Sequence, residues 1–434
     1  MSRKPEPAGL ALRLQAAERL AQVLRGEAFT PFGAADVPEG RNRALANRLI
    51  TTALRRHGHL DIVLAELLER GMPKKSGNFE AVLRLSLAQL LYLPDLGAHS
   101  AVFLAAEALK RDTRTQHLVG LMNAVLRRAQ GAAARFWDLP PLDLIPDWMS
   151  EQWTTAYGAD AVRRFGETLL DTPPLDLTVP GADNETAEAL GGEPLLGDTV
   201  RVLDRDRPVD ALPGFAEGRW WVQDAAAAIP ASLIKAESGA RVLDLCAAPG
   251  GKTAQLVKAG YAVTALDNEP SRIERLRSNL YRLNLRAEIV EADAATWRPE
   301  ERFEAVLLDA PCSATGTFRR HPEVLWHRTP KDILARVALQ KSLFTAARDS
   351  VKPGGTLVYA VCSLLPAEGE EIAAWALDTY ADLHIDPVTS EELAGLPEAT
   401  TPAGFVRTHP ALLADRGSMD GFFIARFRRI SDAA

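Results

Sequence analysis

The sequence predicts three successive parts: an all-α domain, a small α+β segment, and a doubly wound α/β domain on a mostly parallel sheet of seven strands. Three observations predict it. Apolar residues recur at helical spacing over residues 8–130, and Pro140, Pro141 and Pro146 then end that rhythm. From about residue 225, strand-like apolar runs alternate with helical ones. The parts are therefore expected at 1–138, 139–225 and 226–434.

In the first part the helical stretches are Leu10–Leu24, Ala44–Leu54, Ile62–Leu68, Val82–Tyr92, Val102–Leu109 and Leu118–Arg128. Turn signals separate them, as at Gly71-Met72-Pro73 and Pro94-Asp95-Leu96-Gly97. The second part reads as a helix over Met149–Leu170, then short strands near Leu175–Val179 and Thr199–Leu203. Trp220-Trp221-Val222-Gln223-Asp224 leads into the third part. Its strands are expected at 241–245, 262–267, 287–291, 305–309, 356–361, 383–386 and 421–426.

Bulk properties narrow the function. The 434 residues are 47% hydrophobic and 25% charged, an ordinary globular composition. No apolar run approaches the roughly eighteen residues a membrane span requires. The start, Met1-Ser2-Arg3-Lys4-Pro5-Glu6-Pro7, is basic but has no apolar core or cleavage site, so no signal peptide is expected. Three cysteines in no paired framework suit a reducing compartment. A cytoplasmic, monomeric enzyme is the expectation, with no membrane and no metal. Net charge is −7, but residues 1–140 hold 20 Lys+Arg against 13 Asp+Glu, whereas the rest holds 30 against 44. That asymmetry suits a first domain that meets a polyanion, although a merely solvated basic face explains it equally well.

The turn after the first strand of the α/β domain is Asp244-Leu245-Cys246-Ala247-Ala248-Pro249-Gly250-Gly251-Lys252-Thr253. Its small residues let backbone approach a ligand, and the free amides of the following helix point into the same space. A P-loop needs glycine where Cys246 stands, and Gly-x-Gly-x-x-Gly is absent, so a phosphate grip is disfavoured. Asp267 ends the second strand, where a carboxylate binds ribose hydroxyls, and Asp293 follows the third, where it accepts from an adenine amino group. A nucleoside site without a phosphate grip fits S-adenosylmethionine. Each aspartate taken alone is equally a helix cap. Cys246 is assigned to packing beneath the loop.

Asp309-Ala310-Pro311-Cys312 follows the fourth strand and Val361-Cys362-Ser363 the fifth, so two cysteines stand at neighbouring strand tips. Carbon 5 of a pyrimidine is a poor nucleophile. A thiolate adding at carbon 6 makes carbon 5 enamine-like and able to take a methyl group, which is covalent catalysis. The residues alone leave open which cysteine attacks. Asp309 is suited to hydrogen-bond the cytosine amino group and ring nitrogen. Lys252 either orients the site or stabilises the helix start.

These motifs resemble those of the bacterial small-subunit ribosomal RNA cytosine-5 methyltransferases of the RsmB (Sun, Fmu) type. The resemblance rests on Cys246 to Thr253, Leu266-Asp267, Ala292-Asp293-Ala294, Asp309 to Ser313, Arg319-Arg320-His321-Pro322-Glu323, Cys362-Ser363 and Asp420-Gly421-Phe422-Phe423. The first part is similar to the family's NusB-like RNA-binding domain, most clearly at Asn123-Ala124-Val125-Leu126-Arg127. The resemblance implies a Rossmann-like class I methyltransferase domain. It implies an S-adenosylmethionine site from Cys246, Ala247, Ala248, Pro249, Gly250, Gly251, Lys252, Asp267, Asp293 and Asp309. It further implies Cys362 as nucleophile, Cys312 in product release, and 16S ribosomal RNA as partner, with cytosine 967 as target. Arg319, Arg320, His321 and Arg127 are candidate RNA contacts, with ordinary loop or surface cations as the alternative. The chain departs from the family pattern at Val361, where threonine is usual, at Ala314, at Glu368-Gly369-Glu370-Glu371, and around Asp176-Leu177-Thr178.

Three other readings stand beside this one. A transfer RNA substrate uses the same cysteine pair. A non-catalytic RNA-binding assembly factor would need neither cysteine. A DNA methyltransferase would need one cysteine and usually an inserted recognition domain, and no such insertion is visible after residue 312.

Overall fold

The computed structural model describes residues 7–202, 207–393 and 395–430. Met1–Glu6, part of the start read as lacking a signal peptide, and Leu203, the expected end of a strand, lie outside them. The chain forms two compact units, one of residues through Asp171 with His321–His327, the other of Thr172–Arg320 with Arg328 onward.

The first unit is helical: α1 (Leu10–Leu24), α2 (Gly40–Arg55), α3 (His57–Leu67), α4 (Phe79–Tyr92), α5 (Ala98–Lys110), α6 (Val119–Gly131), α7 (Ala133–Trp137), α8 (Asp147–Tyr157) and α9 (Ala159–Thr168). Apart from Glu80, every residue of α4 is buried, so this helix is the axis the others pack around. Its Arg84 is tolerated there because Glu80 and Asp61 accept its hydrogen bonds at 2.9 and 2.6 Å. The single helix expected over Met149–Leu170 is two helices. Gly158 adopts a φ of 81°, which ends α8 and lets α9 start in a new direction. These helices belong with the first unit, whereas the strands expected in the same segment belong with the second.

The second unit opens with a small antiparallel sheet in the order β2-β3-β1-β4, from β1 (Leu175–Thr178), β2 (Gly192–Pro194), β3 (Thr199–Val202) and β4 (Trp221–Val222). Helix α10 (Asn184–Ala189) lies between β1 and β2, and α11 (Ala225–Ser232) follows β4. Strand β2 is not expected from the sequence, since Gly192-Glu193-Pro194 carries no strand-forming side chain. It is an edge strand, where proline is tolerated. Arg201 and Asp176 sit opposite each other on β3 and β1 and form a buried two-bond pair at 2.7 Å for each bond.

The large sheet comprises β5 (Arg241–Leu245), β6 (Ala262–Asp267), β7 (Glu288–Glu291), β8 (Phe303–Asp309), β9 (Val351–Val361), β10 (Leu383–Ile385), β11 (Val406–Thr408) and β12 (Phe422–Arg429). Its order is β10-β12-β9-β8-β5-β6-β7, with β11 paired on β12. Strands β5 to β9 run parallel, and β12 is antiparallel to β9. Seven strands match those expected from sequence, and three-residue β11 is an addition. Helices α12 (Gly251–Lys258) and α13 (Pro270–Arg282) connect β5 to β6 and β6 to β7; α14 (Pro330–Ser350) and α15 (Glu370–Thr379) follow β8 and β9. The chain winds outward from β5 to β7, then returns to lay β8 on the other side of β5. That reversal opens a crevice at the carboxyl ends of β5 and β8, where ligands bind in such sheets. Among the described residues, no helix is long and apolar enough to cross a membrane.

Candidate active site

The turn after β5 wraps one wall of a cavity of about 380 Å³. Cys246 through Lys252 line it together with Asp244, Asp309, Trp221, Gln223 and Arg320. Gly250, at a φ of 103°, caps the start of α12, and a Cβ there would stand 2.5 Å from Leu276 Cδ1. Glycine is therefore favoured on conformational grounds, and a larger residue would also displace the end of the Leu276 side chain. Asp244 is fully buried in β5; Thr253 Oγ1 donates to its Oδ2 at 2.6 Å, while Oδ1 has no hydrogen-bond partner among the described residues. Burial raises its carboxyl to about 7. An orphaned buried acceptor beside a backbone cradle is what a cationic, nucleoside-bearing cofactor would complete, so these residues fit S-adenosylmethionine. Burial, with Asp267 and Asp309 nearby, pushes the Cys246 thiol far up, so it stays protonated.

Asp267 holds the turn in place. Its Oδ2 accepts from Ala248 N at 3.1 Å, its Oδ1 from Asn268 N and Glu269 N, and Arg272 lies 3.4 Å away. Asp293 is exposed and accepts from Ala295 N at 2.9 Å. Neither lines the cavity named above. At the end of β8, Asp309 Oδ2 accepts from Lys252 Nζ at 2.7 Å. Burial pulls the Lys252 ammonium down, but Asp309 outweighs it, and the group titrates above its ordinary value.

The tips of β8 and β9 bring the cysteines together, with Cys312 Sγ 3.4 Å from Cys362 Sγ. Both are free thiols. The hydrogen bond to Cys362, reinforced by burial, drives the Cys312 thiol well above its ordinary range. Beneath them lies a polar cluster that sequence reasoning missed. Glu368, with no solvent exposure, accepts from Ser313 N at 2.8 Å, Gln340 Nε2 at 3.0 Å, Ser363 Oγ at 2.6 Å and Ser313 Oγ. Ser313 follows Cys312 and Ser363 follows Cys362, so one carboxyl group ties the two cysteine loops. Gly316 N donates to Cys362 O at 3.0 Å and Gly421 N to Gly316 O at 2.8 Å, closing the same junction. Val361 is completely buried in the apolar core under the sheet, so its methyl groups pack where a threonine hydroxyl would need a partner.

Arg319 is 1% exposed; it donates to Asp224 Oδ2 at 2.6 Å and to Gly417 O at 3.0 Å, which leaves no surface for a phosphate. Arg320 binds Asp420 through Nε at 2.8 Å and reaches the cavity wall. His321 falls in the segment that belongs to the helical unit, 3.7 Å from Glu323. Arg127 is exposed on α6. Among the described residues, no group of His, Cys, Asp and Glu is arranged to hold a metal.

Comparison with known proteins gives matches along most of the chain. The model of 16S rRNA methyltransferase RsmB/F matches residues 231–428, and that of the NusB family matches residues 11–131. Ribosomal RNA small subunit methyltransferase B of Xanthomonas campestris pv. campestris is 38% identical over 416 residues, covering 90% of this chain and 93% of that protein. Its counterpart from Pseudomonas putida is 35% identical over 455 residues, covering 96% and 98%. Among solved structures, PH0851 shares the fold with a TM-score of 0.76 at 23% identity, covering 99% of this chain and all of that one.

Proposed function

Because the chain belongs to the 16S rRNA methyltransferase RsmB/F family, an S-adenosylmethionine-dependent RNA methyltransferase family, we propose that it methylates carbon 5 of one cytosine in 16S ribosomal RNA, cytosine 967 by family resemblance. The observation that carries this reading is the 3.4 Å approach of Cys312 and Cys362 beside the Lys252–Asp309 pair. Bound S-adenosylmethionine supplies an electrophilic methyl group. Cys246 to Lys252 and Asp309 would line its cavity, with Asp267 holding the turn behind it and Asp293 reaching it from the next strand tip.

In this reading Cys362 Sγ, as thiolate, adds to carbon 6 of the cytosine. The ring electron pair moves to carbon 5, which takes the methyl group. The carbon-5 proton then leaves to a base, the S–C6 bond breaks, and the ring and the Cys362 thiolate are restored. Cys312, whose sulfur lies 3.4 Å from that of Cys362, assists that release. Asp309, fixed by Lys252, accepts from the cytosine amino group, and from the ring nitrogen once that nitrogen carries a proton in the adduct. The cytosine must stand outside its base stack, because carbon 6 is unreachable within one. Segment 1–138 serves RNA binding, 139–225 connects the parts or binds RNA, and 226–434 carries out the transfer.

Bisulfite sequencing of ribosomal and transfer RNA from a strain lacking the gene tests the substrate. One 16S cytosine is expected to lose protection and to regain it when the gene is restored. An unchanged 16S pattern with a lost transfer RNA site would overturn the assignment.

A further inference from the structure

Helix α13 and the turn after it carry a charge unlike the rest of their unit. Over residues 270–286 there are five arginines, Arg272, Arg275, Arg277, Arg282 and Arg286, against one acid, Glu274. Residues 141–434 as a whole hold 30 Lys+Arg against 44 Asp+Glu. Arg277 and Arg286 are exposed and, among the described residues, make no ion pair or side-chain hydrogen bond. Between them in sequence stands Tyr281, 89% exposed, the most exposed large hydrophobic among the described residues. Arg277 and Tyr281 are one helical turn apart and share a face.

Arg282 connects this face to the candidate active site. It lines the cavity that contains Asp309 and Lys252, and it also lines the surface depression formed by Arg277, Tyr281 and Arg286. Its own position is fixed by stacking on Phe215 at 4.4 Å and by donation to Phe215 O at 2.9 Å. The Tyr281 depression therefore forms a strip of surface that meets the rim of the cavity at the strand tips through Arg282.

We propose that this strip is the track of an unpaired RNA strand, with Tyr281 stacking on a base and Arg277 and Arg286 neutralising phosphates. The inference rests on the reading of the chain as an RNA methyltransferase and names where its substrate lies. A solvated aromatic face flanked by unpaired arginines is the recurring platform for single strands, because every base offers a π-face. Duplex RNA is a poorer fit, since its bases are already stacked. The target cytosine must itself be unstacked, so the strand leaving it is unpaired at that point.

The test uses the full-length protein, fluorescence anisotropy, and two probes: a short oligocytidylate and the same strand in a duplex with oligoguanylate. Tyr281→Ala should weaken single-strand binding about tenfold and leave duplex binding unchanged, while Tyr281→Phe should keep the affinity. Arg277→Gln with Arg286→Gln should reduce the slope of log K against log salt by about 0.7 for each phosphate no longer neutralised. S-adenosylmethionine affinity, measured by calorimetry, should stay constant in all variants, which shows that the unit is folded. Unchanged affinity and salt slope would overturn the proposal. So would an equal weakening on duplex and single strand, or an effect seen only with protein-bearing ribosomal particles, which would assign the face to a protein partner. If the Tyr281 dependence holds but the wild type fails to methylate a 16S transcript, the strand track stands and the substrate reading fails.

Discussion

Glu368 accepts a hydrogen bond from Ser363 Oγ at 2.6 Å, and through Ser313 it binds the loop that carries the other cysteine. The separation of the two sulfurs is therefore set by a buried side chain that touches neither. Glu368→Gln keeps the shape and loses an acceptor, so kcat should fall on the order of a hundredfold, as for an ångström-scale misplacement, with S-adenosylmethionine affinity unchanged. Glu368→Ala strands several buried donors at about 1–3 kcal/mol each and should be several kcal/mol less stable in urea. Wild-type kcat in Glu368→Gln would remove Glu368 from the positioning of the cysteines.

The Lys252–Asp309 pair predicts coupling. Both side chains are mostly shielded from solvent. Lys252→Met should cost on the order of 2 kcal/mol of stability, because it leaves Asp309 without its partner. Asp309→Asn added to Lys252→Met should recover part of that loss. A denaturant double-mutant cycle measures the coupling, which strict additivity of the two single changes would contradict.

Asp244 predicts a pH-dependent cofactor affinity. Its carboxyl, raised to about 7 by burial, is half protonated near neutral pH. A cationic ligand favours the ionised form, so S-adenosylmethionine should bind more tightly as pH rises through about 7 and release a proton on binding. Without cofactor the same raised value acts oppositely on folding. The stability it contributes is present below the ordinary value of 3.8 and is lost as pH rises to about 7. Calorimetry in buffers of different ionisation enthalpy reads the proton, and Asp244→Asn should flatten both dependences.

His409 predicts acid sensitivity. Burial, with Arg407 nearby, lowers its value from 6.5 to about 4. A depressed histidine is neutral in the folded chain and takes up a proton on unfolding, so its contribution is present above 6.5 and lost as pH falls through 4. Between pH 7 and pH 5 that amounts to about 2 kcal/mol. Urea unfolding at the two pH values should show the loss, and His409→Gln should remove it. His57 and His59, also lowered by burial, act in the same direction in the helical unit.

The elements legible in the sequence are those whose signal is local. Val242 and Leu243 mark β5, Gly250-Gly251 the turn, and the three cysteines mark strand tips. What escapes depends on partners distant in the chain. Arg319 reads as a loop cation because Asp224, which neutralises it, lies 95 residues away. Glu368 reads as a family departure because Ser313, whose loop it ties to that of Cys362, is 55 residues away. Asp244 is hidden by its own strand, where a polar residue between leucines looks like ordinary alternation. Gly158 inside Met149–Leu170 is a break masked by the helical periodicity on either side of it.

The division of labour between the cysteines is tested most directly by incubating Cys362→Ala and Cys312→Ala with unmodified 16S ribosomal RNA and S-adenosylmethionine, then separating protein under denaturing conditions. Cys362→Ala should transfer no methyl group and retain no RNA. Cys312→Ala should migrate with RNA covalently attached, the adduct formed but not released. Attachment in Cys362→Ala and none in Cys312→Ala would make Cys312 the nucleophile and contradict the account.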